Sequence, residues 1–131
     1  MSTSWYRVTV QPEIPAALIK EEEMKILNIF FDHERHDRDG VNKIYFYSSQ
    51  YYGIAVDDEE KRITQRDLTR IFQDIIKRAN GGLDYVYLHA ASTCNKMVPD
   101  AFSGWVHIIR KDSEEHFSTW DIVDELTGGS I

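Results

Sequence analysis

Residues 30–40, FFDHERHDRDG, set two histidines and four carboxylates behind a pair of phenylalanines, and the fold turns on whether they are a helix end, a strand or a loop. Upstream, PAALIKEEEMKILNIFF (15–31) has Ile19, Glu22, Ile26, Ile29 and Phe30 near helical spacing, with a proline suited to a first turn. Read with that segment, residues 30–40 are a buried helix end, Phe30 and Phe31, followed by a hydrated, charged exit.

The chain ahead of that helix, SWYRVTVQ (4–11), alternates Tyr6, Val8 and Val10 with polar or bulky neighbours, the period-two pattern of a strand closed by Pro12 and Pro15. Downstream, NKIYFYSSQ (42–50) and YYGIAVDD (51–58) are β-rich runs that pair most simply as a hairpin. A second helix is clearer. Thr64 with Asp67 approximates a capping box, and Leu68, Ile71, Phe72, Ile75, Ile76 and Ala79 form one apolar stripe stopped by Asn80, Gly81 and Gly82. DYVYLHAA (84–91) and GWVHIIRK (104–111) are further strands. Ser118 and Asp121 suit the start of a short C-terminal helix, and 127–131 a frayed tail.

The resulting β-α-β-β-α-β-β-α series is an α+β class: an antiparallel sheet with two main helices on one face, plus an extra strand and a short C-terminal helix. Its first six elements resemble the split βαβ, ferredoxin-like order, which hosts many unrelated functions. One domain, residues 1–131, is expected at this length, large enough to fold without disulfides. The single cysteine, Cys94, cannot form an internal one. A polar start without a continuous apolar run, and the lack of any long apolar stretch, give the expectation of a cytoplasmic chain with no membrane partner.

Net charge is −7, which argues against nucleic acid as a direct ligand. The charge is uneven: residues 61–78 carry six basic and two acidic side chains, leaving −11 for the rest. Arg62, Arg66 and Arg70 fall on the solvent side of the second helix, where ion pairing with the chain's own carboxylates is expected.

If both long helices cover one sheet face, the other must be polar or covered by something else. Assigning Val8, Val10, Ile44, Phe46, Ile54, Val56, Val86, Leu88, Val106 and Ile108 to the core leaves Trp5, Tyr45, Tyr47, Tyr85, Tyr87, His89, Trp105 and His107 on the second face. A hairpin centred near Met97 would set His89 opposite Trp105 and Tyr87 opposite His107. Such a surface, rich in Tyr, Trp and His, suits a protein partner or a homo-oligomer unless the C-terminal helix covers it through Phe117, Trp120, Ile122 and Leu126. The acidic runs 57–60 and 112–115 would steer a basic partner, which could be a nucleic-acid-processing protein that the chain regulates or inhibits. Stacking of single-stranded nucleic acid on the tyrosines is a further possibility, opposed by the few nearby cations.

No motif specifies a reaction. HDRDG fails the calcium-loop template at three of its defining places, and HERH lacks the four-residue histidine spacing of the zinc proteases. His33, His36 and Asp37 could supply part of a metal site for an enzyme or sensor, with His89, His107 or His116 needed to complete it. Cys94 with His89 is a formal nucleophile and base pair, but nothing in the spacing marks a reactive thiol. Glycine-rich phosphate loops and nucleophile elbows are absent, so no catalytic residue and no cofactor is assigned.

Overall fold

The computed structural model describes residues 4–51, 53–94 and 103–128. In chain order these form β1 (Ser4–Pro15), a 3₁₀ turn (Ala16–Leu18), α1 (Glu21–Phe30), β2 (Asp32–Arg38), β3 (Val41–Ser48), β4 (Ile54–Val56), β5 (Arg62–Thr64), α2 (Gln65–Arg78), β6 (Tyr85–Cys94), β7 (Ser103–Arg110), β8 (Glu114–Ser118) and α3 (Thr119–Thr127). Six strands make one sheet in the order β2-β3-β1-β6-β7-β8, antiparallel throughout, and β4 and β5 form a separate ribbon. The class is thus α+β, an antiparallel sheet with three α-helices among the described residues. None of these helices is long and apolar enough to cross a membrane.

Helix α2 forms where its stripe predicts. Leu68, Phe72, Ile75 and Ile76 are buried, Asp67 accepts the Thr64 N–H at 2.9 Å, and Asn80 and Gly81 turn the chain away with φ of 48° and 93°. Helix α1 is shorter than the sequence suggests. The extended backbone of Ile19 and Lys20 delays it to Glu21, and three glutamates then fill a first turn whose free N–H groups favour negative charge.

Leu27 and Phe30 of α1 and the α2 stripe close on Val8, Val10, Ile14, Ile44, Phe46, Val86, Leu88 and Ile109 in one core. Both long helices therefore cover the same side of the sheet. They are also tied to each other: Arg78 donates to Glu23 at 2.8 and 3.1 Å and to the Leu18 carbonyl. Burial alone would raise the Glu23 pKa, but hydrogen bonds from the Arg78 guanidinium and the Lys20 N–H outweigh it and hold the carboxyl below its ordinary value.

Three expectations are corrected. Pro12 does not end β1; the strand shifts register between Val10 and Ile14 and continues to Pro15, where it ends. Residues 32–38 are a strand, not a charged helix exit, and they pair with 41–48 through a two-residue turn at Asp39 and Gly40, whose φ values are 53° and 79°. Positive φ at both turn positions is the geometry that Asp-Gly favours and that matches strand twist. The expected hairpin between 42–50 and 51–58 does not form. Instead Ile54 and Val56 pair with β5 and stand 49% and 58% exposed, outside the core assigned to them.

The candidate interaction face

Strand pairing decides which side chains face away from the helices. On β3, buried Ile44 and Phe46 alternate with Tyr45 and Tyr47; on β6, buried Val86 and Leu88 alternate with Tyr85, Tyr87 and His89. These five outward positions are as the sequence suggests.

Strand β7 is not. His89 lies opposite Val106 and Tyr87 opposite Ile108, one residue away from the symmetric hairpin. A one-residue slip exchanges the two faces of a strand. Trp105 and His107 consequently point to the helix side, and Val106 and Ile108 to the open side. His107 is 5% exposed; its Nε2–H donates to Glu114 at 3.0 Å, while its Nδ1 accepts from the Gln65 amide at 3.1 Å. This tautomer satisfies both ring nitrogens beneath α2. Trp105, partly buried, donates its Nε1–H to the Tyr6 hydroxyl at 3.2 Å. Tyr51 stacks on Phe31 nearby, and burial drives its phenol pKa well upward. The Trp5 side chain lies outside the described residues.

The open side divides into two regions. Across β6 and β7, Tyr85 and Tyr87 stack with ring centroids 6.1 Å apart, and with Val106, Ile108 and Arg110 they line a shallow groove of about 300 Å³. Tyr87 donates its hydroxyl proton to Gln11 at 3.0 Å, fixing the ring along the sheet. This half is apolar, with Arg110 at its margin 3.9 Å from Glu115 of β8.

The other half, where β1 bulges away from β3, is a polar cleft of about 720 Å³ lined in part by Gln11, Glu13, His36, Arg38, Lys43 and Tyr45. His36 and Arg38 reach Glu13 at 2.7 and 3.2 Å, and the His36 hydrogen bond holds the Glu13 carboxyl below its usual range. Tyr45 donates to Glu34, which raises the phenol pKa. Tyr45 and Tyr47 stand 5.9 Å apart between centroids.

The histidine cluster separates once it is a strand. His36 pairs opposite Lys43 and faces the open side, whereas His33 pairs opposite Phe46 and, with Asp37, faces the other. His107 and His116 are ring neighbours at 5.9 Å on β7 and β8, two strands beyond β1. Among the described residues no group of three or more His, Cys, Asp or Glu side chains could hold a metal ion. Strand β6 runs through to Cys94, whose backbone pairs with Ser4; the side chain lies outside the described part.

The sheet margins are guarded. Asp32 to Arg38 give the β2 edge five charged side chains and two histidines, and β8 is a five-residue edge beginning with two glutamates. Charged or short edges resist addition of a further strand, so a macromolecule would meet the face of this sheet rather than its rim. The acidic segment 57–60 sits in the β4–β5 turn and Asp112 in the β7–β8 turn, whereas Glu114 and Glu115 open β8, Glu115 beside the face opposite Ile108. Arg62 lies on β5 and not on the second helix; it and Arg66 and Arg70 of α2 are exposed, and the ion pairs expected of them do not form among the described residues.

Val106, Ile108 and Phe117 are the face residues that the sequence reading missed. Their signal was the alternation of β7 itself, in which Trp105, His107 and Ile109 make as bulky an inward row as Val106 and Ile108. Compared with models of protein families, with curated proteins and with solved structures, the chain matches none.

Proposed function

We propose that this chain is a protein-binding module that works by burying the open face of its sheet, with Tyr47, Tyr85, Tyr87, Val106 and Ile108 as anchors. The observation that carries this reading is the one-sided fold: both long helices serve one face, and the other presents tyrosines and aliphatic side chains with no layer over them among the described residues. Tyrosine offers a large, stiff apolar area with a polar tip, the composition of protein-recognition surfaces. The strand order β2-β3-β1-β6, with α1 and α2 as crossovers, supports a ferredoxin-like unit extended at one edge by β7, β8 and α3.

A nucleic-acid platform is less well supported. Arg7, Arg38, Lys43 and Arg110 on the open side are interrupted by Asp32, Glu34 and Glu13, which does not make a phosphate track. The Tyr47→Ala/Tyr87→Ala double variant is expected to keep its fold and to lose, by roughly tenfold or more, a protein that co-purifies with the wild type from its native cell. An Arg66→Ala control, altered on the opposite side of the molecule, should retain it. Equal recovery by all three would contradict the proposal.

A further inference from the structure

We infer that the centre of the open face receives helix α3 of a second copy of this chain, exchanged reciprocally in a two-fold dimer; the inference rests on the binding role proposed for that face. Helix α3 is well terminated. Ser118 Oγ accepts the Asp121 N–H at 3.1 Å, Asp121 accepts the Ser118 N–H at 3.0 Å, and Gly128 closes the helix with φ of 72°. Yet no residue of α3 is buried: Trp120 is 56% exposed, Ile122 47%, Val123 41% and Leu126 81%.

At 100° per residue these four side chains share one arc, and Asp121, Asp124 and Glu125 fill the other. A helix of nine residues is marginal in water on its own. It touches β7 and β8 of its own chain, but among the described residues no side chain on its apolar arc is buried, which leaves that arc open to a second surface. Its root is fixed beside β7, where the Thr119 methyl lies 3.8 Å from the place a β-carbon on Gly104 would take.

Charge selects the surface. In a chain of net charge −7, the outward positions of β6, β7 and the part of β1 before its bulge carry Arg7 and Arg110 and no carboxylate, and the one acid bordering them, Glu115 of β8, lies 3.9 Å from Arg110. Helix α3 carries three carboxylates and no cation. Packing α3 on α3 would bring acids together, and packing sheet on sheet would bring the arginines together. Only α3 on the sheet matches apolar arc to apolar groove and acid to base.

The dimensions agree. The outer strands of β1, β6 and β7 are about 10 Å apart, close to the width of one helix. A helix about 14 Å long covers too little area for a stable interface, which takes roughly 800 Å² per partner. Reciprocal exchange doubles the contact, as two-fold symmetry requires.

Sedimentation velocity on the full chain tests this. The wild type should sediment as a two-chain species, and Leu126→Asp and Ile108→Asp should each associate roughly 30-fold more weakly. Mixed in equal amounts, these two variants should associate with each other more tightly than either does with itself and more weakly than the wild type, because one of the two helix-on-sheet contacts is then intact. Tyr85→Asp, at a 45% exposed position, serves as the sheet variant if circular dichroism shows Ile108→Asp misfolded. A wild type that stays single-chain overturns the inference, as does a dimer that survives either substitution or folded variants that fail to complement. The single-chain outcome would leave burial of the face by a different protein to be judged by the co-purification comparison.

Discussion

Phe72→Ala is expected to lower the unfolding free energy by about 3–5 kcal/mol, which is most of the stability of a small domain. The side chain is fully buried, on the α2 stripe that closes the core over the sheet. Removing its ring forfeits burial and leaves a cavity between helix and strands that neighbouring side chains refill only in part. Denaturant unfolding should show a lower midpoint with an unchanged slope. Arg70→Ala, exposed two residues earlier on the opposite side of the same helix, should stay within about 0.5 kcal/mol of wild type. A small effect at Phe72 would mean that α2 is not packed against the sheet as described.

Arg78→Ala should cost about 2–3 kcal/mol at neutral pH, less than a fully buried pair because the guanidinium side chain is 28% exposed. The loss comes chiefly from stranding Glu23, whose side chain is only 10% exposed. Glu23 has a depressed pKa in the folded chain, so its contribution is present above the ordinary carboxylate value of about 4.3 and disappears as the pH falls through the lower folded value. In the variant the same carboxylate is buried without its partner and is easier to protonate. The gap between the two proteins should therefore be widest near neutrality and narrow below about pH 4. Thermal or urea unfolding across pH 3–7 measures it. A gap that is constant with pH would mean the pair contributes packing alone. Glu23→Gln combined with Arg78→Met should recover part of the loss, since no charge is then left buried.

Much of this architecture was legible in the sequence, and the failures have physical causes. The α2 stripe is unambiguous because its apolar residues repeat with a helical period and are bracketed by Thr64 and the glycines. Ser118 was recognisable as a helix cap for the same reason. Residues 32–38 were misread because strand patterns usually declare themselves through buried side chains, and an edge strand reaching past the helices has almost none. The Asp39-Gly40 pair was the available signal: it favours a two-residue hairpin turn and would have paired 32–38 with 41–48.

The candidate face was legible in its tyrosines and not in its β7 half. Tyr45, Tyr47, Tyr85 and Tyr87 alternate with aliphatic residues that can only be core. In β7 both rows are bulky, so alternation cannot orient the strand, and a one-residue change of register decides whether Trp105 and His107 or Val106 and Ile108 face outward. The hydrogen-bond partners of buried His107, Gln65 and Glu114, come from 42 residues before it and 7 after it, a convergence that no local pattern reveals.

The most direct test of the central claim is the reactivity of a thiol placed on the open face. With Cys94 replaced by serine, Ile108→Cys should react readily with a maleimide in purified protein diluted until it sediments as a single chain and much more slowly in extract of the native cell, while Arg70→Cys on α2 reacts alike in both. Equal reactivity of Ile108→Cys in the two settings would contradict a face that works by being buried.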